Sequence, residues 1–233
     1  MCNIIVKCLN ILERKKIMII AIDGPSGAGK STVARLLSRE LGFEYIDTGA
    51  MYRALAYKAY INNIEVKEDT IDEMLETTEV DYSDNKIFLD KMNVESLIRS
   101  EEISKYASKI SAFKNVRTKM VELQRNIAKN KNVILDGRDI GTKVFPDADF
   151  KFFITASVET RAERRYEQLL AGGTAADRDN VLEDIKKRDI NDSTREFSPL
   201  KKADDAILID TTHMEINEVV RKIKDFVGGQ NVL

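Results

Sequence analysis

Thiol and imidazole chemistry are nearly missing from this chain of 233 residues. It has one histidine, His213, and two cysteines, Cys2 and Cys8. No His/Cys metal cage can be assembled from so few ligands, and a disulfide framework or a cysteine nucleophile is disfavoured. Such sparing use of cysteine fits a reducing cytoplasm. With 3 prolines and 11 glycines, the chain is neither collagen-like nor proline-rich. A basic surplus is also lacking: 37 Lys and Arg stand against 39 Asp and Glu, a formal charge of -2. No nucleic-acid partner is therefore expected, and any basic site must be a local cluster. No long uncharged apolar run occurs either. Lys7, Glu13, Arg14, Lys15 and Lys16 interrupt the stretch from Ile4 to Ile22, where a span needs about 18 or more residues. No secretory cleavage site follows it, so neither an export signal nor a membrane partner is expected. Residues 1–16 read as an extension before the fold, with Met18 as a candidate start, and residues 229–233 as a tail.

What remains is 43% hydrophobic residues, enough for a sizeable core. The folded part reads as a single domain over residues 17–228. Ile17–Ile22 is a continuous apolar run suited to a strand buried on both faces. A glycine-rich turn, Asp23–Gly29, follows, and then Lys30–Leu41 carries Val33, Leu36, Leu37 and Leu41 at helical spacing. A second helix is expected over Gly49–Tyr60, and a short acidic one over Ile71–Thr77. Val80–Tyr82, Lys86–Asp90 and Val94–Leu97 read as short strands, the first two joined by a Ser83-Asp84-Asn85 turn. Helices are expected at Glu101–Ser111 and Val116–Lys129. The opening pattern then resumes, with strands at Asn132–Asp136, Phe150–Ile154 and Ala206–Ile209 and helices at Val158–Leu170, Arg178–Thr194 and Ile216–Val227. Alternating strands and helices predict an α/β fold with a central parallel sheet, into which a small antiparallel sheet is inserted.

Gly24-Pro25-Ser26-Gly27-Ala28-Gly29-Lys30-Ser31 fits the pattern G-x-x-x-x-G-K-[ST] between a buried strand and a helix. Glycines let the backbone approach a phosphate closely. The loop's N–H groups and the positive end of the helix then converge on phosphate oxygens. Lys30 adds a charge that reaches the β and γ phosphates, and the Ser31 hydroxyl can ligate Mg²⁺. The pattern names a nucleotide-phosphate loop and leaves its use open among kinases, GTPases and ATPases. A base-reading N-K-x-D is missing, since Asn130-Lys131-Asn132-Val133 lacks the aspartate. The one D-x-x-G, Asp225–Gly228, falls in the last helix, so a GTPase is disfavoured. Motor ATPases are usually longer and close this strand in Asp-Glu, whereas Val133–Asp136 runs on into Gly137-Arg138-Asp139. Asp136, at a strand end, is placed to hold the Mg²⁺ shell indirectly. Arg53 and Arg138 follow loops at the carboxyl ends of strands, the ligand edge of an open α/β sheet. Phosphoryl transfer needs cations there, because charge spreads over the migrating group.

Together these residues resemble the bacterial cytidylate kinase family, within the P-loop nucleoside monophosphate kinases. The resemblance rests on Gly24–Thr32, Asp47-Thr-Gly-Ala-Met-Tyr-Arg53, Asp136-Gly-Arg-Asp-Ile-Gly-Thr142, Phe145-Pro-Asp-Ala148 and Lys187-Arg-Asp-Ile-Asn-Asp192, and it spans about Ile17 to Gly228. It implies a three-layer P-loop core, a monophosphate-binding region enlarged by an insert at about 62–112, and a lid at about 161–180. It implies ATP-dependent phosphorylation of CMP and dCMP with Mg²⁺. ATP would bind on Gly24–Thr32 with Arg161. Thr48, Arg53 and Arg138 would lie at the acceptor phosphate, with Arg195 as a further clamp. Ser108, Arg117 and Asp139 would read cytosine, and Arg188 and Asp192 would contact the sugar hydroxyls. Arg161, Arg164 and Arg165 would belong to the lid, with Lys30, Arg53, Arg138, Arg165 and Arg195 the catalytic cations. A monomer is expected. Alternatives are another small-molecule kinase of this fold (UMP/CMP, shikimate or dephospho-coenzyme A kinase) and a nucleotide-binding regulator without an acceptor.

Overall fold

Strand and helix alternate from the first described residues. The computed structural model describes residues 17–83 and 86–229. The order begins β1 (Ile19–Asp23), α1 (Lys30–Leu41), β2 (Glu44–Asp47) and α2 (Thr48–Ile61). There follow α3 (Glu68–Glu76), β3 (Val80–Ser83), β4 (Lys86–Leu89), β5 (Met92–Asn93), α4 (Glu101–Ile110) and α5 (Lys114–Ala128). The alternation resumes with β6 (Val133–Gly137), a π turn at Ile140–Val144, β7 (Phe150–Thr155), α6 (Val158–Ala171), α7 (Arg178–Thr194), β8 (Ile207–Asp210) and α8 (Ile216–Gly229).

Five strands form a sheet in the order β2-β6-β1-β7-β8, with every pairing parallel. Side chains leave a strand on alternate faces, so the apolar runs supply two cores. Ala21, Ile46, Val133 and Leu135 join one with α2, α4 and α5, while Ile20, Ile22, Ile134 and Phe152 join the other with α1 and α8. Because β1 lies between β6 and β7, the chain changes direction across the sheet there. A crevice opens at the carboxyl ends of these strands, bordered by Asp23, Asp47 and Asp136.

β3, β4 and β5 form the separate antiparallel sheet, which packs on α2. The Tyr82 hydroxyl donates to the Tyr45 carbonyl at 2.8 Å and ties this insert to β2. The third inserted strand lies earlier than the expected Val94–Leu97. Asp90 and Lys91 both take positive φ, 47° and 69°, which makes a tight hairpin whose return strand starts at Met92. The Asn93 side chain then accepts from the Glu95 N–H at 3.0 Å and stops the pairing. The expected 1–16 extension, Asp84-Asn85 of the expected turn, and the tail from residue 230 lie outside the described residues.

Candidate active site

Gly24 and Gly27 have φ of 147° and 77°. A Cβ on Gly24 would stand 1.9 Å from the Ile154 carbonyl oxygen, and one on Gly27 3.0 Å from that of Arg161. Only glycine fits, and the loop is drawn tight against β7 and α6. Side-chain oxygens of Asp47, Ser100, Ser157 and Asp177 cap α2, α4, α6 and α7. At α1 the cap is Gly29, with no side-chain hydrogen bond. Its first N–H groups are left for an anion. Lys30 donates from Nζ to the Pro25 carbonyl at 2.6 Å. Burial, reinforced by Arg138 and Arg188, holds its ammonium well below the usual lysine range. The Ser31 hydroxyl donates to Asp136 Oδ2 at 2.7 Å, and the Tyr45 hydroxyl donates to Asp136 Oδ1 at 2.7 Å. Burial, with Asp47 beside it, raises the Asp136 carboxyl.

Opposite this loop stands a wall of arginines, across a cavity of 1170 Å³. Arg53 donates to both oxygens of Asp47, at 3.2 and 3.1 Å. Arg138 donates from Nε to Asp192 Oδ2 at 2.7 Å, and Arg195 Nη1 lies 3.7 Å from Asp192 Oδ1. Arg188 is pushed down to about 10 by burial and by Arg138 next to it. Buried and without a hydrogen-bond partner are Arg53 Nε, Arg188 Nε and Arg195 Nη2. Buried donors seldom stay unpaired, so these nitrogens are available to acceptor oxygens entering the cavity.

Deeper in the cavity, Arg117 and Asp139 form a buried ion pair, with Arg117 Nη1 also donating to the Ser111 carbonyl at 3.1 Å. Arg117 lies over the Tyr52 ring, 5.5 Å from its centroid. Arg117 Nε and Ser108 Oγ are again buried without partners. The Thr48 hydroxyl donates to the Asp136 carbonyl at 2.6 Å and ties the start of α2 to β6.

Residues 20–228 match the cytidylate kinase family. The chain belongs to that family. A cytidylate kinase from Clostridioides difficile is 49% identical over 207 residues, which is 88% of this chain and 96% of that one. Another, from Carboxydothermus hydrogenoformans, is 48% identical over 219 residues, 92% of this chain and 99% of that one. A crystal structure of an uncharacterized protein from Eubacterium ventriosum superimposes with TM-score 0.51 at 15% identity, covering 91% of this chain and 98% of that one. That last likeness is one of fold alone.

Most residues that the cytidylate kinase resemblance singled out converge on one cavity. Ser26, Gly27, Gly29, Lys30, Ser31, Thr32, Thr48, Arg53, Ser108, Arg117, Asp136, Arg138, Asp139, Arg165, Arg188, Asp192 and Arg195 all line it. Gly24, Pro25 and Ala28, expected on ATP, are not part of the lining. Nor is Arg161, also expected on ATP. Its guanidinium is spent on the carbonyls of Ala156 at 2.9 Å and Ser26 at 3.0 Å, with Asp189 at 2.7 Å. It therefore braces the phosphate loop from outside. Asp192, expected at the sugar hydroxyls, also serves as counter-ion to Arg138. Arg35, Asp47 and Arg99 line the cavity as well. Asp47 stood inside a quoted motif, but its pairing with Arg99 at 2.9 Å spans 52 residues, and no local spacing signals it.

Proposed function

We propose that this chain transfers the γ-phosphoryl group of ATP to the α-phosphate of CMP or dCMP, giving ADP and the cytidine diphosphate. The reaction class is that of its family: it is a nucleoside monophosphate kinase. The unpartnered nitrogens of Arg53, Arg188 and Arg195, opposite Lys30, carry the reading. ATP phosphates take the N–H groups of Gly27–Thr32 and Lys30. An acceptor phosphate takes Arg53, Arg138, Arg188 and Arg195. Three or more guanidinium groups that repel one another need an anion between them, and the lowered Arg188 is the electrostatic sign of that need.

Cytosine presents an amino donor and O2 and N3 acceptors. Asp139 accepts from the amino group, while Ser108 and Arg117 donate to the acceptors. Uracil would set a carbonyl against the Asp139 carboxylate, a mismatch worth about 1–3 kcal/mol in a buried site. Asp192, with Arg188 beside it, is left to take the sugar hydroxyls. No strong general base is required, because an acceptor phosphate is already ionised near neutral pH. Arg165, on the lid, pairs with Glu101 of α4 at 2.7 Å, and Lys105 of α4 pairs with Asp184 of α7 at 2.9 Å. The first contact joins the lid to the insert beside the cavity that Arg165 lines, where closing would exclude water as a competing acceptor.

Mg²⁺ fits the residues present. The Ser31 hydroxyl and Asp136 carboxylate are hard oxygen donors facing the phosphate loop. Among the described residues, no group of three or more His, Cys, Asp or Glu could hold a metal alone. Nucleotide phosphates and water would complete the shell. When bound there, the ion neutralises phosphate charge. The proposal includes division into a core, an insert at about 62–112 and a lid at about 161–180, a monomeric state and a cytoplasmic site of action. Among the described residues, no helix is long and apolar enough to cross a membrane.

An ADP-release assay across CMP, dCMP, UMP, AMP and shikimate tests the reading. ADP should form fastest with CMP or dCMP. Equal ADP formation without any acceptor, or a preference for shikimate, would overturn it.

A further inference from the structure

Asp23 takes no part in the chemistry above, yet it is a carboxylate only 4% exposed at the head of the phosphate loop. It closes β1 and directly precedes Gly24. Its Oδ1 accepts from the Ile140 N–H at 2.8 Å and its Oδ2 from the Gly141 N–H at 2.7 Å. Those two N–H groups open the π turn that follows Arg138 and Asp139. One side chain thus joins the start of the donor loop to the backbone that carries the acceptor-reading pair.

The neighbourhood is shaped for this clasp. A Cβ on Gly141 would lie 3.2 Å from Lys151 Cδ and 3.4 Å from Asp23 Oδ2, so glycine lets the backbone close upon the carboxylate. The Asp139 carboxylate is close enough to act on Asp23 with like charge and is itself paired with Arg117. Two backbone donors require two acceptor oxygens. A carboxylate supplies both, whereas an amide of the same shape supplies one and sets its own N–H against the other.

We propose that Asp23 is a positioning residue for the acceptor: by holding the backbone at 140 and 141 it sets where Arg138 and Asp139 point. This rests on the cytidylate kinase reading of the cavity. Losing one leg of the clasp releases residues 138–141 while the phosphate loop, held independently by Arg161 and β7, keeps its shape. The consequence falls on the second substrate and not on ATP.

The test is steady-state kinetics on the full chain with CMP and UMP as acceptors, together with calorimetric titration of ATP. For Asp23→Asn, the KM for CMP should rise, and the CMP-over-UMP preference in kcat/KM fall, by about tenfold each. The Kd for ATP should stay within about twofold. Gly141→Ala presses on the same clasp from its other side and should give the same pattern; if Asp23→Asn does not fold, it decides alone. An unchanged CMP-over-UMP preference, or CMP and ATP binding weakened together, would overturn the assignment. The wild type in the same assay tests the underlying reading separately, since absence of any cytosine preference there would defeat that reading and not the clasp.

Discussion

At the scale of single side chains, the unpartnered nitrogens of Arg53, Arg188 and Arg195 carry the most information, because a buried donor without an acceptor costs about 1–3 kcal/mol. Arg138 differs from them in having no buried unpartnered nitrogen, and its Nε is aimed by Asp192. Its loss should therefore remove a pre-aimed cation from the transferring group. Arg138→Ala should lower kcat by about 10²–10³-fold with the Kd for ATP near normal, measured by ADP release and calorimetry. Equal loss of ATP binding would contradict this role. Asp23 gives a pH signature. Burial pushes its carboxyl up to about 6 from an ordinary 3.8, against the opposing backbone bonds from Gly141 and Ile140. Between these values the folded chain holds a proton that the unfolded chain has released, so acidification from pH 7 to 4 adds stability through Asp23. Urea unfolding at a series of pH values should show the wild type gaining on Asp23→Asn by about 1–3 kcal/mol over that range. Parallel stability curves would show that the group does not titrate as assigned. Arg138 was legible in the sequence because Asp-Gly-Arg-Asp sits at a strand end. The bracing role of Arg161 was not, because its partners at Ser26 and Asp189 lie far off in the chain.

At the scale of elements, the phosphate loop works because α1 starts without a side-chain cap and because glycine admits positive φ. Gly27→Ala would place a Cβ at 3.0 Å from the Arg161 carbonyl oxygen in a left-handed conformation. ATP affinity should fall about 10²-fold or more, while far-UV circular dichroism stays that of the wild type. Unchanged ATP binding would mean that the loop relaxes without cost. Strands with continuous apolar runs, such as Ile19–Asp23 and Val133–Gly137, could be read from the sequence. β2 could not: only Tyr45 and Ile46 separate Glu44 from Asp47, too few to show a pattern. The π turn at Ile140–Val144 was hidden for another reason. Its shape depends on hydrogen bonds to Asp23, more than a hundred residues earlier.

At the scale of the whole molecule, a chain of net charge -2 nevertheless brings ten arginines to the lining of one cavity. The mutual repulsion of those arginines destabilises the empty state, and a bound phosphate relieves it. CMP at about 100 times its Kd should stabilise the fold by about 2.7 kcal/mol, and cytidine at the same concentration by much less, both read as shifts in Tm. Equal shifts would show that the arginines do not grip the phosphate. The parallel sheet places the phosphate loop after β1, and the arginines of the cavity wall come from α2, the turn after β6 and α7. Four of the five strands of the parallel sheet, all but β2, and most of the arginine wall were foreseeable from the sequence. Their convergence, including Arg99 on Asp47, follows from the fold.

The central claim is that two phosphorylated molecules lie face to face between Lys30 and the arginine wall. A crystal structure with CMP and a non-hydrolysable ATP analogue tests it most directly. The α-phosphate oxygens of CMP should lie about 2.7–3.2 Å from nitrogens of Arg53, Arg188 and Arg195, with cytosine against Asp139. CMP bound elsewhere, with those nitrogens still unpaired, would contradict the account.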